Sequence, residues 1–423
     1  MARRPHLLLA LLWLALGYAH VGRGLAHTGP GYRFWSFQHL CYSDVIALHG
    51  DRYLDGEHPR PYLDDRIEYP PLLGLFLWLP HWIPGGAAGH FTVTYLLLAL
   101  CLLAAVRALE RTPGTRAAWL AATPALVVFA GLNWDLLPIA LIAGAALLQS
   151  RGQPRGAAAV TGLGISAKLF PGVLVLPAAG ALAGGAPPGR RLRALVAPAL
   201  ALVGVVLAVN LPVALAAPRS WAWFWVFNAQ RGAENSIWHA FGMGRPPVRD
   251  PSALFLSPTP LVELLSAGPL VAASLFALWA AYAAARRGDP TGRAVRLGAA
   301  LALVVWIATN KVWSPQYALY GFLAGALVAA PWPFFGLLSA ASLFDHWAAF
   351  EARGRWDGVL RRWDPWFTDH VFHPQAIVRT VLWLALAAWI ARELWRAARA
   401  PPVAAQPPGW APGSGVRVSA RSR

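Results

Sequence analysis

Apolar residues run along the chain in long unbroken stretches, separated by short segments rich in proline, glycine and arginine. About 20 apolar residues in a row are enough for a helix to cross the hydrocarbon core of a bilayer. The pattern predicts an all-α polytopic membrane protein with about 12 transmembrane helices. After a first helix near the N-terminus, the predicted spans are 90–109, 117–132, 134–150, 156–168, 171–184, 192–216, 259–285, 295–309, 315–330, 331–349 and 376–396.

The N-terminus predicts an uncleaved signal anchor, since Arg3 and Arg4 precede an apolar stretch that lacks a convincing cleavage site. Residues 27–89 follow as a large outer first loop, which holds seven of the chain's 19 acidic residues. Its apolar piece 71–84 is short and bounded by prolines. We interpret this piece as interfacial or re-entrant, because counting it as a span would put the later basic loops outside the cell.

Composition supports this interpretation, since 57% of the residues are apolar and only 13% are charged. Soluble domains carry about 25% charged residues. The net charge of +17 comes from arginines between the apolar segments, which indicates cytoplasmic loops rather than nucleic-acid binding. Both termini are then cytoplasmic, and residues 399–423 form a disordered basic tail. The residue usage is typical of a GC-rich bacterial genome, so we predict a multi-pass protein of the bacterial plasma membrane.

Only two of the 36 basic residues are lysines. Lys168 and Lys311 each lie where two short apolar segments meet on the predicted outer side, just before a helix-breaking proline. A compact amine at such a tip is suited to holding a phosphate at the membrane surface. The alternative is that both lysines extend to the interface with no ligand.

Acidic residues on the predicted outer side are the candidates for acid–base chemistry. Asp44 follows the first helix among aromatic residues, where a carboxylate is suited to act as a general base. It is equally compatible with a helix cap or a solvated loop acid. Glu68 and Tyr69 close the same loop, and Asp135 begins a predicted span, where it also fits a simple helix-dipole role.

The loop 217–258 adds Arg231, Asn235 and His239 as candidate ligand contacts, since amide, carboxylate and guanidinium groups near tryptophan are typical of sugar sites. Histidines and acids in 345–373 have spacings that fit no closed metal site, so no metal is predicted. The chain has no P-loop, no dinucleotide-binding glycine motif and no GxSxG nucleophile motif. These absences disfavour ATP-driven transport and use of a nucleotide sugar through a Rossmann domain.

Several motifs together resemble glycosyltransferase family 87, a bacterial family of the GT-C class that includes polyprenyl-phosphate-mannose-dependent mannosyltransferases. They are Ser43-Asp44, Pro61-Tyr62, Glu68-Tyr69-Pro70-Pro71, Asn133-Trp134-Asp135, Gly162 to Pro171 around Lys168, and Trp313-Ser-Pro-Gln316-Tyr317. The resemblance spans about residues 30–330. It implies a GT-C-like transmembrane domain over residues 1–398, with 27–89 as its catalytic loop.

The resemblance also implies an activity, which is transfer of mannose or another hexose or pentose from a polyprenyl phosphate to a lipid or glycan acceptor at the outer face. Asp44 would be the catalytic base, Lys168, Lys311 and Arg231 would bind the donor phosphate, and no metal or soluble cofactor is implied. Glu68, Tyr69, Asn133, Asp135, Asn235, His239 and Gln316 would contact substrate. The competing interpretation is a lipid-linked glycan flippase that uses the same groups without catalysis.

Overall fold

The computed structural model of the chain describes residues 5–29, 31–51, 60–243, 259–289, 292–355 and 364–401. The predicted disordered tail falls outside these ranges, apart from its first residues. Parts of the predicted outer loops 27–89 and 217–258 also lie outside the described residues. The helices, contacts and cavities given below all belong to these ranges.

The described residues are almost entirely helical, and two isolated β-bridges are the only extended pairings among them. Several helices begin at or next to a proline, whose fixed φ suits the first helical turn and whose missing N–H is not needed there. The helices are α1 Pro5–Gly22, α2 Tyr32–Gln38, α3 Asp44–Asp51, α4 Pro71–Trp78, α5 Gly86–Glu110, α6 Ala118–Ala121, α7 Leu126–Phe129, α8 Leu136–Ser150, α9 Pro154–Ala167, α10 Val175–Gly185, α11 Arg191–Ala216, α12 Pro218–Gln230, α13 Ile237–Ala240, α14 Pro260–Arg286, α15 Arg293–Thr309, α16 Ala318–Leu327, α17 Trp332–Gly354, α18 Pro365–Phe367 and α19 His373–Arg399.

Five described helical segments are long and apolar enough to cross a membrane: Pro5–His27, Gly86–Glu110, Pro188–Ala216, Pro260–Arg286 and Pro365–Arg399. Every predicted span contains helix in the structure, but several of these helices are shorter than a full crossing. The chain is therefore an all-α membrane protein, as predicted. The count of about 12 spans stays a prediction.

The segment 117–132, predicted as one span, is instead two short helices, α6 and α7. Pro124 lies between them and cannot continue the helix, because it lacks an N–H and its ring clashes with the preceding turn. Irregular backbone at membrane depth is tolerated only where protein surrounds it. Trp119 and Phe129 are both fully buried here, and the indole N–H of Trp13 donates to the Ala122 carbonyl.

The apolar piece 71–84 contains α4 and a 3₁₀ turn at Leu79–Trp82. At about 1.5 Å per residue in the helix and 2.0 Å in the turn, the two together reach about 20 Å. The hydrocarbon core is about 30 Å thick. This piece is shorter than a full crossing, as are several of the helices in the predicted spans, and its interfacial or re-entrant placement stays a prediction.

The centre of the bundle is formed by α15 and α16. All ten residues of α16 are buried, and so are most of those of α15. A helix that is apolar on every side belongs in the middle of a bundle. The opposite case is α11, whose only buried residue is Pro198, so that this helix lies at the periphery with apolar side chains facing outward.

Helices α10 and α14 approach closely along a small-residue face. A Cβ atom added to Gly180 would lie 2.2 Å from the carbonyl oxygen of Leu278, and one added to Gly184 would lie 2.3 Å from that of Tyr282. Small residues spaced four apart are common where membrane helices pack together, because they allow the two backbones to come into contact.

We predict that Gly184→Leu lowers the stability of the purified protein, because the two backbones must separate to admit the side chain. Overpacking of this kind costs about 1–3 kcal/mol. The measurement is the thermal midpoint in detergent, followed by loss of the monodisperse gel-filtration peak. Gly185→Leu is the matched control, since a Cβ atom there meets nothing within 4 Å. Equal midpoints for the two variants would contradict the close contact.

Candidate active site

A cavity of about 860 Å³ lies at one end of the bundle. Its walls come from segments far apart in sequence: α2, the start of α3, the loop before α4, the loop before α8, the end of α9, the end of α12 with the loop after it, the loop before α16, and α17. This size is within the range of small-ligand sites. The polar and charged lining residues are Arg33, Tyr42, Asp44, Glu68, Tyr69, Asn133, Lys168, Asn228, Gln230, Arg231, Glu234, Ser314, Gln316, Tyr317 and Arg353.

Asp44 is the first residue of α3 and lies at the cavity wall. Its Oδ1 accepts a hydrogen bond from the Tyr42 hydroxyl at 2.8 Å, and its Oδ2 accepts one from Asn133 Nδ2 at 2.7 Å. The Asp44 backbone N–H donates to the Leu132 carbonyl at 2.8 Å. Both carboxylate oxygens of Asp44 accept a hydrogen bond, and the side chain borders the cavity. This is the placement that a general base requires.

Two neighbours of Asp44 keep this arrangement in place. The hydroxyl of Ser43 is buried and donates to the Gly131 carbonyl at 2.6 Å, which ties the start of α3 to the loop before α8. Burial, and then the charge of Asp44, raise the pKa of Tyr42 well above its ordinary value. The phenol therefore stays protonated and remains a hydrogen-bond donor to Asp44.

The predicted substrate contacts Glu68, Tyr69 and Asn133 line the same cavity as Asp44. The amide Nδ2 of Asn133 contacts the Tyr69 hydroxyl at 3.1 Å as well as Asp44. The Tyr69 ring meets the Trp134 ring edge-on at 5.8 Å. Gln316 also lines the cavity, although its side chain is largely buried.

Lys168 follows the last residue of α9 and contributes a cation to the cavity. Its Nζ lies 2.5 Å from Asp135 Oδ1, which also accepts a hydrogen bond from the Tyr320 hydroxyl at 2.7 Å. Asp135 is 1% exposed and is not part of the lining, so it lies behind Lys168. The structure thus makes Asp135 the partner that orients Lys168, where the sequence suggested a contact with substrate.

A second cationic group is the pair Arg231 and Arg353, which lie on either side of Glu234. Glu234 accepts from Arg231 Nη2 at 2.5 Å and from Arg353 Nη2 at 3.0 Å. Burial opposes ionisation of Glu234, but the two guanidinium groups outweigh it and hold the pKa of Glu234 below its ordinary value. Two positive charges and one negative charge leave a net positive wall, which favours an anionic ligand.

Four of the predicted site residues do not line the cavity: Asp135, which lies behind Lys168, and Lys311, Asn235 and His239. Lys311 Nζ lies 2.5 Å from Glu263 Oε1 at the start of α14. Asn235, at φ +46°, accepts hydrogen bonds from Arg379 through both its backbone and its side-chain oxygens. Through these contacts Lys311 and Asn235 stabilise the loops behind the cavity.

His239 lies in α13, where its ring packs against the rings of Phe372 and His373. Burial lowers the pKa of His239 to about 4, so the ring is neutral near pH 7. Within the described residues, no group of three His, Cys, Asp or Glu side chains is arranged to hold a metal ion. His239 therefore packs as a neutral ring behind the site.

Sequence reasoning missed two features of this region. One is Arg353, which carries no local signal because it is one arginine of many on a helix outside the recognised motifs. The other is a buried cluster in which Arg379 forms an ion pair with Asp345 and lies over the Trp313 ring at 4.0 Å. Trp313 in turn donates to Asp345 Oδ2 at 2.7 Å. In the sequence, Asp345 has only the character of a weak metal ligand.

Apolar helices able to span a bilayer indicate a multi-pass membrane protein, and one cavity of this protein is lined by a carboxylate and several cations. The sequence model of glycosyltransferase family 87 matches residues 68–309, more than half of the chain. The chain belongs to glycosyltransferase family 87, which confirms the resemblance seen in its motifs. No curated protein and no solved structure matches the chain.

Proposed function

We propose that the protein transfers a sugar, mannose or another hexose or pentose, from a polyprenyl-phosphate donor to a hydroxyl group of a lipid or glycan acceptor. The reaction takes place at the outer face of the bacterial plasma membrane. The observation that carries the proposal is that one cavity is lined both by the hydrogen-bonded carboxylate of Asp44 and by the cations Lys168 and Arg231. Membership of a glycosyltransferase family supports sugar transfer as the reaction class.

The reaction is a single displacement. Asp44 takes the proton of the acceptor hydroxyl while its oxygen forms a bond to the anomeric carbon of the donor sugar. The bond between that carbon and the phosphate oxygen breaks, and the electron pair leaves with the phosphate, so the anomeric configuration inverts. The leaving group is already an anion and needs no general acid. Lys168 and the Arg231–Arg353 pair stabilise its charge electrostatically.

An isoprenoid donor agrees with the character of the cavity walls. Phe34, Phe37, Phe224, Phe227 and Phe350 line the cavity beside the polar groups. Two of them belong to α12, a helix rich in aromatic residues whose Trp225 is 50% exposed. Aromatic helices of this kind lie at membrane interfaces, so a donor there keeps its tail in lipid and its charged head in the cavity.

The test is transfer by the purified protein from a panel of labelled donors to bacterial lipid extracts. We expect a labelled glycolipid or glycan from at least one polyprenyl-phosphate sugar and none from the matching nucleotide sugars. Transfer from nucleotide sugars alone would contradict the donor class. Movement of a labelled donor across vesicle membranes with no transfer product would favour the flippase.

A further inference from the structure

A second cavity, of about 310 Å³, lies between α8, α9, α10 and α11 and is separate from the active site. Its lining is apolar apart from Gln149 and Thr161. A cavity with so few polar groups does not hold ordered water, whereas it can hold an apolar ligand. Its volume is at the lower end of the range for ligand pockets.

This second cavity lies toward the end of the bundle opposite the active site. Pro154 and Ala158, in the first turns of α9, line it, whereas Lys168 follows the last turn of the same helix. The 14 residues of α9 separate these ends by about 20 Å. The arginine distribution predicts that the end with Pro154 is the cytoplasmic one.

The cavity is also next to the lipid-facing surface. Its outer wall is the first half of α11, the peripheral helix, and Val203 in this wall is 48% exposed. Leu192 and Leu200 on the same helix are 76% and 68% exposed. A hydrocarbon chain can therefore reach the cavity from the bilayer without crossing the protein core.

Basic residues surround the cytoplasmic side of this cavity. Arg151, Arg155, Arg191 and Arg193 each lie within four residues of a lining position. None of the four forms an ion pair with a carboxylate within the described part of the chain. The Nε of Arg191 is buried and makes no hydrogen bond, while its guanidinium lies over the Tyr282 ring. These arginines have no carboxylate partner among the described residues and lie next to an apolar cavity.

We propose that this cavity binds one acyl chain of an anionic phospholipid of the inner leaflet, whose phosphate headgroup is held by the neighbouring arginines. Basic pockets between helices on the cytoplasmic side are the usual recognition element for anionic lipid headgroups. The apolar lining accounts for binding of the acyl chain, and the arginines account for the preference for an anionic headgroup. The site is separate from sugar transfer and does not depend on the identity of the donor.

The experiment is native mass spectrometry of the detergent-purified protein in an equimolar mixture of dioleoyl phosphatidylglycerol and dioleoyl phosphatidylcholine. We expect phosphatidylglycerol to be retained at least tenfold over phosphatidylcholine. Arg155→Gln with Arg193→Gln should weaken phosphatidylglycerol retention about 25-fold, at about fivefold per basic residue near a membrane surface. Both arginines are exposed, so this variant is expected to fold. Arg392→Gln with Arg399→Gln removes two charges from another helix end and should leave retention unchanged.

Ala158→Phe tests the cavity itself, because its ring would occupy the space of the chain. We expect it to lower retention of both lipids, while Ala159→Phe, next to it on α9 but outside the lining, has no such effect. Equal retention of the two lipids by the unmodified protein would overturn the proposal. So would unchanged phosphatidylglycerol binding in Ala158→Phe, or displacement of phosphatidylglycerol by undecaprenyl phosphate, which would assign the cavity to the donor tail.

Discussion

Replacing Asp44 by asparagine is expected to lower sugar-transfer turnover by about 10²–10⁴-fold, which corresponds to about 3–5 kcal/mol in the activation barrier. Asparagine keeps the size of the side chain but cannot accept the proton of the acceptor hydroxyl. It still accepts a hydrogen bond from Tyr42, and it loses only the one from Asn133 Nδ2. Loss of one such bond costs about 1 kcal/mol. The measurement is the initial rate at saturating donor, beside the thermal midpoint of the same preparation.

Glu68→Gln and Asp135→Asn are the controls for Asp44. Glu68 lines the same cavity, and Asp135 orients Lys168 from behind the cavity wall. Each variant should retain more activity than Asp44→Asn. If Asp44→Asn turns over near the unmodified rate while one control is inactive, the base is that other carboxylate. If all three variants are active, the proposal of general-base catalysis fails and the flippase gains support.

Removing Lys168 is expected to impair use of the donor far more than use of the acceptor. Loss of one group that stabilises developing charge costs about 10²–10³-fold in turnover. Because Lys168→Ala alone would leave the carboxylate of Asp135 buried without its cation, the sharper variant is Lys168→Met with Asp135→Asn. The expected result is a lower kcat and a higher donor KM, with an unchanged acceptor KM. A rise in the acceptor KM alone would contradict a role in binding phosphate.

The other lysine provides a control for this variant, with a carboxylate partner that is more exposed: Glu263 is 47% exposed and Asp135 is 1% exposed. Lys311 and Glu263 form a pair of the same length, 2.5 Å, and the lysine side chain is 11% exposed against 12% for Lys168. Lys311 does not line the cavity. Lys311→Met with Glu263→Gln should therefore alter stability without a selective loss of donor use. A loss of donor use as large as that from the Lys168 pair would show that any lysine–carboxylate pair at this end of the bundle has the same effect.

Most of the candidate site could be predicted from the sequence because its residues stand out against their surroundings. Asp44, Lys168 and Arg231 are charged groups next to apolar segments, where a charge is costly and usually has a function. All three line one cavity in the structure. Lys311 stands out equally, yet its amine contacts Glu263 outside the lining. The rarity of lysine in this sequence therefore pointed to both positions, but it did not show which of the two lysines lines the cavity.

The sequence alone was sufficient to show a helical membrane protein of glycosyltransferase family 87, because hydropathy reflects the transfer free energy of each segment and the family motifs are local. The break of 117–132 at Pro124 is equally local, but hydropathy does not report helix continuity and so predicts a single span there. Only the tertiary structure decided which loops meet. Arg353 reaches Glu234 across 119 positions of sequence, and Asp135 lies behind Lys168 rather than beside the substrate space. Such pairings depend on how distant helices pack, and the pattern of residues within a single segment contains no record of that packing.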